Sequence, residues 1–199
     1  MHLIRRINNP QTPIKPVGII LHYIGNPGTS ARANAKYFAG TTEKKSVHYI
    51  VDDYDVVEII SPTYKSYGTS DKRYNEAYIQ IEMCHKDATG KISAKTLENV
   101  VWLCRKLVKE YKLTKIIRHF DVTGKYCPLW YVNHPQEWEQ LAKRIMKGED
   151  EPMSVDKALG VLVQKGVINS PDYWATACKY VKNLDAFIIK VATYIDGKA

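Results

Sequence analysis

Val17-Gly-Ile-Ile-Leu-His-Tyr-Ile24 is a nearly continuous apolar run. Such a run marks a strand buried on both faces of a sheet, since a strand with one wet face alternates instead. Its one strongly polar residue, His22, falls near the C-terminal end, where open sheets usually place their chemistry. Gly25-Asn-Pro-Gly28 then turns the chain. Ser30 is positioned to cap a helix over residues 31–40, with Ala33, Tyr37 and Phe38 on one side.

Outward from this strand, the pattern alternates between extended and helical segments. Ser46-Val-His-Tyr-Ile-Val-Asp-Asp53 reads as a strand with His48, Ile50 and Asp52 on one face. Val56-Val-Glu-Ile-Ile60 is short and β-branched, and Asp53-Tyr-Asp55 before it predicts a hairpin. Residues 61–76 lack periodicity and read as a surface loop. Tyr78-Ile-Gln-Ile-Glu-Met-Cys84 alternates strictly and puts Gln80, Glu82 and Cys84 on one face. A carboxylate in mid-strand is costly unless it is paired or working. Ser93 is the expected cap of a helix in which Leu97, Val100, Val101, Cys104, Leu107, Val108 and Tyr111 form an apolar stripe, making Cys104 a buried filler. Lys115-Ile-Ile-Arg-His119 reads as a strand that delivers His119 to its end. Pro135 opens a helix that stops at Gly148. Pro10, Pro13 and Pro16 make residues 1–16 an extended lead-in.

Strands interleaved with helices predict an α/β domain over residues 1–148. Glu149-Asp-Glu-Pro152 reads as a linker, and residues 153–199 as a small all-α module with helix starts at Ser154 and Ser170-Pro171 and a third helix through Leu184, Phe187, Ile188, Val191 and Ile195. With 45% hydrophobic and 25% charged residues, the 199-residue chain has the composition of an ordinary globular protein. No apolar run approaches the roughly 20 residues of a membrane span. The N-terminal stretch shows no apolar core of a signal peptide. Four widely spaced cysteines make no disulfide framework and fit a reducing compartment. The net charge of +8 is uneven: residues 1–148 hold 23 basic against 14 acidic residues. Such a surface suits an anionic polymer, whether nucleic acid, membrane or a phosphate-rich cell wall. No interleaved aromatic-basic motif or recognition helix supports nucleic acid.

Chemistry concentrates in Arg118-His-Phe-Asp-Val-Thr-Gly-Lys-Tyr-Cys-Pro128, which places His119, Lys125 and Cys127 together. Imidazole and thiolate are ligands that zinc takes readily, and a catalytic zinc usually has three protein ligands and one open position. His22 and His119 both lie at strand ends on one rim, to which Cys127 returns, so the three form the candidate set. His48 could face the same cleft as a substrate contact, and His85 could rim it. His2 and His134 read as surface residues.

With these residues in view, the chain resembles the zinc-dependent N-acetylmuramoyl-L-alanine amidases, which include phage endolysins and bacterial autolysins and are related to peptidoglycan recognition proteins. The matching stretches are Leu21–Gly28, Ala35–Phe38, Ser46–Asp53, Ile79–Cys84 and His119–Pro128, in family order across residues 15–146. The resemblance implies a mixed central β-sheet flanked by helices, a Zn2+ held by His22, His119 and Cys127, a catalytic Glu82, and Lys125 at the reacting carbonyl. Tyr23, His48 and His85 are then tentative substrate contacts. One branch carries a catalytic tyrosine where this chain has Val47, so that role does not carry over. The implied reaction is hydrolysis of the amide between N-acetylmuramic acid and L-alanine of the stem peptide, with Glu82 as base. The alternative is a non-catalytic peptidoglycan-binding protein of the same fold, although a receptor has no need of a base. The expected partner is the peptidoglycan of a Gram-positive wall, reached after synthesis in the host cytoplasm, as in phage lysis. Val161–Trp174 resembles short helical modules behind the catalytic domains of clostridial lysins, which implies wall targeting or assembly, including a homodimer through the C-terminal helices; a brace packed on the first domain is the plainer reading.

Overall fold

The computed structural model describes residues 2–3, 12–41, 43–147 and 154–196. The chain divides into two compact units, Met1–Glu149 and Asp150–Ala199. The linker expected at residues 149–152 and the helix stop at Gly148 lie outside the described residues.

The first unit is built on a mixed sheet of six strands. They are β1 (His2–Leu3), β2 (Gly18–Tyr23), β3 (Tyr49–Val51), β4 (Val56–Glu58), β5 (Tyr78–Met83) and β6 (Lys115–Arg118). Their order is β1-β4-β3-β5-β2-β6, with β3 and β4 antiparallel and every other pair parallel. The apolar run that opened the reading is thus an interior strand, and Ile19, Ile20 and Leu21 have no exposed surface.

Helices α1 (Ala31–Gly40), α2 (Lys72–Asn75), α3 (Ala94–Tyr111), α4 (His119–Thr123), α5 (Leu129–Asn133) and α6 (Pro135–Lys147) surround the sheet. The expected caps close the two long ones they precede: Ser30 Oγ accepts from the Ala33 N–H, and Ser93 Oγ from the Thr96 N–H. One face of the sheet is dry. There Ile19, Leu21, Ile79, Ile81 and Met83 pack with Val100, Leu103, Cys104 and Leu107 of α3 and with Leu141 and Ile145 of α6. On the other face Ile50, Val57 and Cys84 pack against Ala31 and Ala35 of α1, and the polar row His22, Gln80 and Glu82 lies beside that cluster. Alternation along β2 and β5 therefore separates core from chemistry.

Asp52 and Asp53 join this hairpin to the helices. Asp52 accepts from the N–H groups of Ala31, Tyr54 and Asp55, while Asp53 accepts from the Ser93 and Thr96 hydroxyls. Each carboxylate meets a helix N-terminus, where negative charge is favoured.

Two expectations are corrected and a third, the extended lead-in, is refined. The lead-in contributes a strand, β1, parallel to β4, and residues 4–11 lie outside the described ones. Residues 61–76 are no simple surface loop: Lys65, Ser66 and Asn75 are buried, and α2 lies within the segment. Side-chain hydrogen bonds to backbone, which leave no periodic trace, hold that segment. Finally, β6 ends at Arg118, so His119 opens a short helix instead of ending the strand.

The second unit comprises α7 (Val155–Gln164), α8 (Pro171–Ala177) and α9 (Leu184–Asp196). Ser154 Oγ caps α7 and Pro171 opens α8. Ala158, Leu159, Leu162, Ile188 and Ala192 are its buried residues, a very small core for an independent domain. Among the described residues no helix is long and apolar enough to cross a membrane.

Candidate metal centre and cleft

Three distant segments deliver the side chains. His22 stands near the end of β2, His119 at the start of α4, and Cys127 eight residues after His119, on the loop that follows α4. That loop is braced internally. The Arg118 N–H and guanidinium bind Asp121, Gly124 turns with φ 74° to close α4, and the Phe120 N–H donates to the Cys127 carbonyl at 2.9 Å.

All three side chains are buried, and their ligand atoms lie within 4.8 Å of one another. His22 Nδ1 is 3.1 Å from His119 Nδ1 and 3.9 Å from Cys127 Sγ. A tetrahedral zinc with N and S ligands sets such atoms roughly 3.3–3.6 Å apart, a range that these two distances bracket, so the donor set can close on a zinc-sized cation with small side-chain adjustments. The charge state of the two imidazoles fits too, while burial pushes the Cys127 thiol up to about 12. Burial, with His119 and Lys125 adding to it, lowers the His22 pKa to about 3, and burial with Lys125 lowers that of His119 to about 4. Both rings are therefore neutral and able to donate a lone pair. The Tyr23 backbone N–H is directed at the Cys127 sulfur.

Glu82 is the Cα partner of His22 across the β2–β5 ladder. Its Oε2 is buried without a hydrogen-bond partner. Burial pushes its pKa up to about 8, against a partial pull from Lys125. A carboxylate left unsatisfied in an otherwise well-paired interior is held for something outside the protein's own contacts. Glu82, His119 and Lys125 line one cleft of about 540 Å³, together with Phe38, Gly68 and Thr69. Glu82 and Phe38 also line a neighbouring groove beside Tyr37 and Asn34. The carboxylate thus sits where two troughs meet.

The remaining candidates are placed elsewhere. His48 has no exposed surface: Nδ1 accepts from the Gln80 N–H at 2.8 Å and Nε2 donates to the Tyr64 carbonyl at 2.8 Å. Both nitrogens are committed to backbone, so the structure makes it a brace and not a cleft contact. His85 is buried with both ring nitrogens at backbone carbonyls, those of Asp87 and Ile24. It lines a separate hollow with Asp52 and Asp53 instead of the cleft rim. The Tyr23 ring stacks against His85, and its N–H is what reaches the centre.

The bracing role of His48 has a pH signature. Burial lowers its pKa from 6.5 to about 4. A histidine depressed in the folded state stabilises fully above its unfolded pKa and progressively less as pH falls toward the folded one. Between pH 6.5 and 4 this amounts to roughly 3 kcal/mol. The His48 ring resonances should stay those of the neutral form from pH 7.5 to 5 while the urea midpoint declines. A ring titrating near 6.5 would show it to be solvated.

The residue that sequence reasoning passed over is Gln80. It was placed on the face of Glu82, yet its Oε1 lies 2.7 Å from His22 Nε2 and orients that ring.

A family model described as N-acetylmuramoyl-L-alanine amidase matches residues 11–130. The N-acetylmuramoyl-L-alanine amidase CwlL of Bacillus licheniformis is 31% identical over 180 residues, covering 77% of this chain and 49% of the relative. The amidase XlyA of Bacillus subtilis (strain 168) is 28% identical, covering 78% and 56%. The chain spans about half the length of the curated relatives it matches. Among solved structures, PlyL superposes with a TM-score of 0.67 at 21% identity, covering 75% of this chain and 99% of that one. The catalytic domain of XlyA gives 0.64 at 24%, covering 73% and 99%. These two share the fold.

Proposed function

The chain belongs to the N-acetylmuramoyl-L-alanine amidase family, and we propose that it hydrolyses the amide between N-acetylmuramic acid and L-alanine of peptidoglycan, with Zn2+ held by His22, His119 and Cys127. The observation that carries the reading is the unpartnered, buried Oε2 of Glu82, on the strand rung that it shares with His22.

When bound, zinc supplies Lewis acidity, polarising a carbonyl and lowering the pKa of water toward about 7. The chain's own residues do the rest. Glu82 takes a proton from the water that attacks the lactyl carbonyl and passes it to the alanine nitrogen as the C–N bond breaks. Its enclosed position keeps that carboxylate basic. Lys125, exposed on the cleft wall, provides positive charge where the carbonyl oxygen becomes anionic, an effect worth about 3 kcal/mol for one such donor. The two troughs that meet at Glu82 allow a branched substrate to lie with its sugar on one side and its peptide on the other.

In this reading the first unit is the catalytic domain, and the helical unit serves wall binding or assembly. The excess of basic residues in the first unit suits the anionic wall of a Gram-positive cell.

Incubation of the zinc-loaded protein with purified peptidoglycan should expose new N-terminal alanine, and chelation should stop it. Walls of several chemotypes that are bound but never cut would turn the reading to a recognition protein.

A further inference from the structure

His22 can face the metal centre with a lone pair only if its proton sits on the far nitrogen. Its surroundings decide this, through a chain of hydrogen bonds that begins at the backbone. The Thr69 N–H donates to Asn75 Oδ1 at 3.0 Å, and Asn75 Nδ2 donates to the Thr69 carbonyl at 2.9 Å. Backbone groups cannot exchange donor for acceptor, so they fix which way the Asn75 amide points. Asn75 Oδ1 then requires a donor from Gln80, and Gln80 Nε2 lies 3.0 Å away. That turns Gln80 Oε1 toward His22 Nε2, at 2.7 Å. A carbonyl oxygen only accepts, so the His22 proton is on Nε2 and the bare Nδ1 faces His119 and Cys127.

Gly68 closes the arrangement. A Cβ at this position would lie 2.5 Å from Gln80 Oε1 and 2.8 Å from its Cδ. Gln80 has no exposed surface and is tied at both ends of its amide, so it cannot yield without releasing Asn75 or His22. Gly68 and Thr69 both line the cleft.

We propose that Gln80 and Gly68 are positioning residues that set the His22 tautomer and join it to the cleft wall as one hydrogen-bonded unit. The inference rests on the metal centre proposed above. It goes beyond that centre by placing control of a ligand in residues that are not themselves ligands. Gly68 and Thr69 thereby link the wall of the cleft to the hydrogen bonds behind His22.

The test uses the full chain and two readouts other than turnover. Long-range 1H–15N spectra of the metal-free protein should show His22 protonated on Nε2. Zinc affinity, by competition with a chromophoric chelator, should fall about 10–100-fold in Gln80→Leu and in Gly68→Ala, the range for loss of an outer-shell orienter. Both variants should show a mixed His22 tautomer. Gln80→Glu, which keeps an acceptor for Nε2 and in its neutral form a donor for Asn75 Oδ1, should restore the tautomer and the affinity that Gln80→Leu loses. A wild-type His22 protonated on Nδ1 overturns the proposal, as do wild-type affinity in Gly68→Ala or a Gln80→Glu no better than Gln80→Leu. If Gln80→Leu does not fold, the wild-type tautomer and Gly68→Ala decide alone. A wild-type protein that binds no zinc at all removes the metal centre itself, a different result from zinc bound equally by wild type and variants.

Discussion

Glu82→Gln is expected to lower turnover on peptidoglycan by about 10²–10⁴-fold, the range for loss of a general base, with zinc content unchanged. The substitution keeps the shape of the side chain and removes its ability to accept and return a proton. Folding should survive it. With its pKa pushed up to about 8 by burial, the metal-free protein already holds Glu82 neutral at pH 7, so a neutral amide asks little of the surroundings. Release of N-terminal alanine from a soluble muropeptide should be measured alongside zinc stoichiometry and the melting temperature. A variant with turnover within a few-fold of wild type, at equal zinc content, would remove Glu82 from the role of base.

Cys127→Ser should weaken zinc binding by more than the roughly 10–100-fold typical of an outer-shell change. Cys127 is 3% exposed, and its sulfur is the only soft donor in a set otherwise made of two imidazoles. A hydroxyl in its place cannot ionise near neutral pH, so the site would lose one anionic ligand outright. Chelator competition and the zinc-dependent rise in melting temperature report this directly. Unchanged affinity would mean that the third ligand lies elsewhere. Removal of zinc from the wild type should abolish turnover, and added zinc should restore it.

Some of this was legible from the chain because local chemistry dictated it. Ser30 and Ser93 cap the helices they precede, and strict alternation puts Gln80, Glu82 and Cys84 on one face of their strand. His22, at the end of a doubly buried strand, had few structural reasons to be there. Other features depended on partners far along the chain. Whether His48 contacts the cleft or braces the sheet is decided by the Tyr64 carbonyl and the Gln80 N–H, 16 and 32 residues away. His85 is decided by the Ile24 carbonyl, 61 residues earlier. The segment of residues 61–76 has no hydrophobic period because polar side chains bonded to backbone hold it, among them Asn75 to Thr69. Strand β1, two residues long, is too short to show any period.

The parallel pairing of His22 with Glu82 has a practical consequence. The proposed ligand and the proposed base stand on one rung of the ladder, and their backbones are held about 4.8 Å apart by interstrand hydrogen bonds. The ladder acts as a ruler that the surrounding loops do not need to hold. Segments such as residues 44–47, which border the cleft without entering the ladder, can change in sequence while the ruler keeps its length. Exchange of that segment is therefore the rational starting point for redirecting the protein toward a different wall.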